Sequence, residues 1–112
     1  MNDLIRKLRD FAAEREWQQF HSPKNIAMAL SVETAEIVEI FQWLTQEQSF
    51  NLDEKGREHL AEEIGDVMIY LTNLADKFGI DPLAAAHAKM IKNAEKYPVD
   101  KARGLARKYN EL

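Results

Sequence analysis

Residues 53–79 read DEKGREHLAEEIGDVMIYLTNLADKFG, and this stretch decides the fold. Leu60, Ile64, Val67, Leu71, Leu74 and Phe78 follow one another at four, three, four, three and four, the period of a single helix face. Asp53 stands where an N-cap is needed and Gly79 where a helix ends, so the spacing predicts a helix over 54–78. Ile69 lies about 180° from that stripe at roughly 100° per residue, with Met68 between them. A helix apolar on more than one side is not covered by a few short neighbours. A homo-oligomer is therefore expected, with this helix and the one before it meeting their symmetry mates.

The flanking sequence repeats the same grammar. Ser22-Pro23 places a capping hydroxyl before a proline at the first helical position, where a missing N–H costs nothing. The second helix is expected over 23–44, with Ile26, Leu30, Ile37, Ile40, Phe41 and Leu44 as its stripe. Asn2 or Asp3 caps a first helix running to Glu16 or Trp17, followed by a polar stretch over 18–21. A polar connection is expected over 45–52. Asp81-Pro82 starts a fourth long helix that runs to Lys96 and ends at Tyr97-Pro98. The tail, 99–112, has room for a further turn or two. With 4 glycines and 3 prolines in 112 residues and no alternating pattern, the chain is all-α and a single domain over 1–112.

Composition narrows the function. Fifteen basic against 19 acidic residues give a net charge of −4, which argues against coating a nucleic acid polymer. There is no cysteine, hence no thiolate metal site and no thiol nucleophile. Charged residues interrupt the N-terminal apolar positions, and nowhere do 18 apolar residues run together, so no membrane association and a cytoplasmic location are expected.

The informative positions are acids that interrupt apolar faces. Glu33 is seven residues from both Ile26 and Ile40, near the centre of the second helix's stripe, and Glu36 follows one turn later. Glu63 and Asp66 repeat the spacing on the third helix, on the flank that also carries Tyr70. In an antiparallel hairpin the two pairs converge. Two unit charges 4 Å apart repel by about 4 kcal/mol even at an effective dielectric near 20, so four acids together need protons or a cation. An all-oxygen set without cysteine or a Glu-x-x-His pattern suits Mg²⁺, with Mn²⁺ as a substitute, better than zinc or di-iron. Mg²⁺ leaves positions for water and phosphate oxygens, which suggests phosphate chemistry. Glu14, Glu16, Glu47, Glu54 and Glu58 read as ordinary solvated acids.

Lys89, Lys92, Asn93 and Lys96 share one face of the fourth helix. Such a stripe is ordinarily a surface, but opposite a metal-carboxylate cluster it can clamp a triphosphate. Trp17, Phe20, Trp43, Tyr70 and Tyr97 are either core or a slot for a base. Trp43 is seven residues after Glu36 and Tyr70 seven after Glu63, so each points the same way as an acid. His21 precedes the Ser22-Pro23 cap, whereas His59 and His87 carry no motif.

These residues resemble the MazG-like all-α nucleoside triphosphate pyrophosphohydrolases, in particular the small single-domain branch typified by dCTP pyrophosphatase. The stretches that carry the likeness are EREWQQFHSPKN over 14–25, SVETAEIVEIFQW over 31–43, EEIGDVMIYL over 62–71 and KMIKNAEKYP over 89–98. The family's E-x-x-E then E-x-x-D signature falls on Glu33, Glu36, Glu63 and Asp66. The resemblance implies a four-helix bundle, working as a dimer or tetramer, with Mg²⁺ on those four acids. It implies nucleoside contacts from Trp17, His21, Trp43 and Tyr70, and nucleotide contacts from Lys89 and Asn93. The implied reaction converts a nucleoside triphosphate, foremost dCTP or a modified pyrimidine relative, to monophosphate and pyrophosphate in cleansing the nucleotide pool. The alternatives are dUTP or another noncanonical triphosphate as substrate, or a noncatalytic helical interaction module.

Overall fold

The computed structural model describes residues 1–111, and these are helical throughout with short connections. The elements are α1 (Asn2–Glu14), a 3₁₀ turn (Trp17–Phe20), α2 (Pro23–Phe41), a one-turn α3 (Gln46–Ser49), α4 (Glu54–Asp76), α5 (Pro82–Lys96), a one-turn α6 (Val99–Ala102) and a 3₁₀ turn (Tyr109–Glu111). The four long helices are those the periodicity predicts. Leu112, the last residue of the tail, lies outside the described residues.

Caps set most of the boundaries. Ser22 accepts a hydrogen bond from the Asn25 amide at 3.1 Å, and Asp53 accepts one from the Gly56 amide at 2.7 Å. Asp81 accepts from the amides of Leu83 and Ala84. Gly79 takes φ +65°, the left-handed conformation that a Cβ disfavours, and the chain turns there after α4.

Four boundaries differ from expectation, one of them the end of α4, which stops at Asp76 and leaves Lys77 and Phe78 in the turn before Gly79. Neither Asn2 nor Asp3 caps α1: Met1 occupies that position with no side-chain bond, and Asp3 instead pairs with Arg6 and Lys7 within the first turns. The helix stops at Glu14, because Glu16 adopts φ +55° and cannot continue it, and the expected polar stretch is the 3₁₀ turn carrying Trp17. α2 stops at Phe41, three residues early. Thr45 forms a capping box with Gln48, which needs an extended backbone at Thr45 and so starts α3 inside the expected connection.

α2 and α4 make the principal helix pair, with α1 laid against α4. The C-terminal end of α2 meets the N-terminal end of α4, since Ile40 and Leu44 share a groove with Gly56 and His59 while Glu33 lies by Asp66, so the pair is antiparallel. Ile26 is 2% exposed and, with Ala12, forms the fully buried apolar centre. The rest of the apolar surface is incompletely covered. On α4 the stripe members Ile64 and Leu71 are exposed, as is Phe78 in the turn that follows, and on α5 Met90 and Ile91 are each 67% exposed. The chain presents 9069 Å², against about 6,300 Å² for a compact protein of its mass. Its radius of gyration is 17.6 Å, against about 13 Å for a compact chain of this length.

Candidate active site

Three of the four expected acids meet where α2 faces α4. Glu33, Glu36 and Glu63 each bring a carboxylate oxygen within 4.8 Å of the others. Glu63 is 8% exposed, and Glu33 and Glu36 are half-buried. One oxygen of Glu33 and one of Glu63, both Oε2, are shut off from solvent with no hydrogen-bond partner. A buried acceptor left bare costs on the order of 1–3 kcal/mol, and more when charged. Asp66, one turn beyond Glu63, adds its charge to both residues.

The crowding moves the protons. Burial, then the hydrogen-bonded and charged Glu36 carboxylate beside it, pushes the Glu33 carboxyl up to about 7. Glu63 is also raised, foremost by a hydrogen bond shared with Glu36 and next by burial, with its bond to Glu33 acting the other way. Without a cation the cluster therefore retains a proton on Glu33 toward neutral pH. Bare, inward-facing oxygens from two rigid helices, all hard donors, fit a divalent cation of the Mg²⁺ class. Glu33, Glu36 and Glu63, with Asp66 at the edge, are the residues that could hold it.

Glu63 has one further neighbour. Nε2 of His59, one turn earlier on α4, lies 3.3 Å from Oε1 of Glu63, while Oε2 is the oxygen left buried and bare. Sequence reading passed over His59, although its i, i+4 spacing to Glu63 was a signal.

Beside the acids is a cavity of about 190 Å³. Phe11, Trp17, His21, Asp66, Tyr70 and Asn73 line it, over an apolar floor from Leu8, Ala12 and Ile69. Asp66 thus belongs both to the acidic cluster and to the cavity. The aromatic side is built by local structure. The Trp17 ring meets Phe11 edge-on with centroids 5.7 Å apart, and His21 at 6.5 Å. The Arg15 guanidinium sits 3.6 Å over the Phe11 ring. Ser22 caps α2 immediately after His21, and Asn25 Nδ2 donates to the Phe20 carbonyl, tying the 3₁₀ turn to α2. Arg9 holds α1 against α4 by donating to Asp76, with Nε 2.8 Å from Oδ2. The guanidinium's hydrogen bond keeps the Asp76 carboxyl below the usual range.

A groove of about 660 Å³ where α2, α3 and α4 meet is larger, but none of the four acids lines it, so size alone does not locate the site.

Trp17, His21, Asp66 and Tyr70 therefore converge within one chain, next to Glu33, Glu36 and Glu63. Trp43, Lys89 and Asn93 do not join them. Trp43 follows the end of α2 and is 87% exposed, and Lys89 and Asn93 lie on exposed positions of α5. Phe11 and Asn73, both in the cavity wall, were not among the expected residues. Asn73 is three residues after Tyr70 and seven after Asp66, so helical spacing could have found it.

The MazG-like family profile matches residues 28–112. The chain belongs to the MazG-like family. Within it the likeness is to the dCTP pyrophosphatase branch. Over 114 aligned residues the chain is 42% identical to dCTP pyrophosphatase 1 of Mus musculus and of Homo sapiens, a match covering 100% of this chain and 67% of each relative. A crystal structure of a pyrophosphatase from Archaeoglobus fulgidus superposes with a TM-score of 0.82 at 43% identity, covering 88% of this chain and 92% of that one. With this membership the chain is an enzyme of the nucleoside triphosphate pyrophosphohydrolase class. Its helical architecture is that of the family, and no described helix is long and apolar enough to cross a membrane.

Proposed function

We propose that this MazG-like enzyme, a single domain over residues 1–112, hydrolyses dCTP or a modified pyrimidine deoxynucleoside triphosphate to the monophosphate and pyrophosphate. The observation that carries the reading is the junction at Asp66. Bare carboxylate oxygens suited to a cation adjoin an aromatic cavity of the size of a single ring base. The names of the relatives point to the same substrate.

Glu33, Glu36, Glu63 and Asp66 hold Mg²⁺ in this reading, with Mn²⁺ able to replace it. Bound there, the cation supplies neutralisation of phosphate charge and acidification of water. The chain's own residues do the rest. Trp17 and Tyr70 flank the base, with His21 at its edge. The nucleoside sits in the cavity and its α-phosphate reaches the acids, where a water attacks phosphorus opposite the departing pyrophosphate. One carboxylate of the cluster accepts the proton of that water.

Trp43, Lys89 and Asn93 reach the site from a second copy of the chain. Support comes from the excess surface, roughly 2,700 Å² beyond a compact monomer, which is on the scale of an obligate interface. The exposed apolar members of α2, α4 and α5 supply it. In a dimer or tetramer built through α2 and α4, Lys89 and Asn93 complete a clamp for the departing pyrophosphate. The setting is the cytoplasmic nucleotide pool.

The test is turnover of common and modified deoxynucleoside triphosphates, with Mg²⁺ and with chelator, with product identification. Monophosphate plus pyrophosphate from a pyrimidine substrate is expected. A faster dUTP reaction would move the reading to that substrate. Glu63→Gln is expected to abolish the metal-dependent reaction while the helical spectrum persists, and an unaffected rate would leave a noncatalytic helical module.

A further inference from the structure

We infer that Asn73 reads the hydrogen-bonding edge of the base and accepts 4-amino and 4-oxo pyrimidines alike. The inference rests on the proposed substrate class and goes beyond it in naming the residue and the selectivity that follows.

Asn73 lines the aromatic cavity together with Trp17, His21 and Tyr70, and also the adjoining space of about 230 Å³ toward Arg9 and Asp76. It stands seven residues from Asp66 on α4. Seven residues advance about 10 Å along the axis and return to within about 20° of the same direction. One helix face thus offers a carboxylate at the phosphate end, Tyr70 midway and an amide at the far end. That span matches a nucleoside measured from its 5′ phosphate to the outer edge of its ring.

The other polar side chains of the cavity differ from Asn73 in kind: Trp17, His21 and Tyr70 carry their polar atoms on rings that flank the space, and none of them offers a donor and an acceptor side by side as an amide does. Asp66 belongs to the acidic cluster, and His21 stands beside the Trp17 ring. In the adjoining space Arg9 is engaged with Asp76. Asn73 is half-buried, and its side-chain amide makes no hydrogen bond among the described residues. An amide donates through nitrogen and accepts through oxygen. Cytosine presents an acceptor at N3 beside a donor at N4, and uracil presents a donor at N3 beside an acceptor at O4. With no internal bond to fix its orientation, the Asn73 amide turns over and pairs with either edge. Discrimination at this position is therefore between rings that carry this edge and rings that lack it.

The experiment compares wild type with Asn73→Ala and Asn73→Ser on dCTP, dUTP and the deoxynucleoside triphosphate of 2-pyrimidinone, whose ring has no 4-substituent. Wild type is expected to use dCTP and dUTP at similar kcat/KM and to lose about tenfold to a hundredfold on the edge-deficient ring, the loss lying in KM. Both variants are expected to treat all three rings alike, so that the penalty of removing the 4-substituent disappears with the amide. Titration of the intrinsic tryptophan fluorescence with dCMP gives a second readout, with weaker binding expected in the variants. Alanine is a strong helix former, and unchanged melting of either variant verifies folding. If wild type turns over pyrimidine triphosphates but the variants keep its full sensitivity to the 4-substituent, Asn73 does not read the base and the inference is overturned. If wild type turns over no triphosphate with Mg²⁺, the substrate reading itself fails and this inference falls with it.

Discussion

Replacing Glu33 by glutamine should stabilise the metal-free protein, although it removes a group from the centre of the site. Burial and the neighbouring Glu36, Glu63 and Asp66 raise the Glu33 carboxyl from 4.5 to about 7. Above pH 7 that displacement amounts to about 3 kcal/mol held against the ionised form. Solvent at the mouth of the cluster screens part of it, leaving roughly 1–2 kcal/mol. Glutamine is close in size, carries no charge and can donate to a neighbouring carboxylate, so it avoids the penalty. The sign follows from proton binding. The native state holds more protons than the unfolded chain between 4.5 and about 7, so the wild type loses stability as pH rises through that window. The advantage of Glu33→Gln should be full at pH 8 and nearly gone at pH 4.5, where Glu33 is protonated in the native state and already half protonated in the unfolded chain. Urea unfolding in chelator at the two pH values measures it. Added Mg²⁺ should reverse the order, since a cation at a hundredfold its Kd stabilises by about 2.7 kcal/mol only a protein that binds it. A variant that is less stable than wild type in chelator at pH 8 would refute the reasoning.

Other consequences follow from single contacts. Because His59 engages one oxygen of Glu63 and the other is buried and bare, His59→Ala should weaken Mn²⁺ binding about tenfold, read by direct titration of the ion. Ser22→Ala removes the α2 cap beside His21 and should cost about 1 kcal/mol in denaturant unfolding. Ile91→Asp places a charge on the exposed apolar face of α5. If that face is covered by a second copy, light scattering should show a smaller particle than wild type.

The local elements were legible in the sequence because their causes are local. Ser22-Pro23, Asp53 and Asp81-Pro82 start helices through hydrogen bonds that span three residues or fewer, and Gly79 turns the chain through its own backbone freedom. The boundaries that slipped had local causes of a less regular kind. Glu16 in a left-handed conformation and the Thr45–Gln48 box interrupt patterns that hydrophobic periodicity alone would carry onward.

The pairing of acids was also legible in part, since Glu33 sits on an apolar stripe and the i, i+3 spacing recurs at Glu63 and Asp66. What spacing along each helix could not determine was the register between the two. That register leaves Glu33 and Glu63 with buried, unpartnered oxygens and brings Asp66 into the cavity wall. The same limit explains Trp43: its spacing from Glu36 presumes a helix that continues, and α2 ends at Phe41.

The four long helices, the caps of α2, α4 and α5 and the identity of the acids were thus decided within the sequence, by interactions that reach a turn or less. The stripe on α4 was equally visible there, but which side of it faces inward was not. Hydrophobic periodicity identifies a face that avoids water without naming what covers it. In this chain Glu63 is among the buried residues of α4, while Ile64, Leu71 and Phe78 remain exposed. Only the packing of α1, α2 and α4 decided that assignment, because burial is a property of neighbours and those neighbours come from distant parts of the chain.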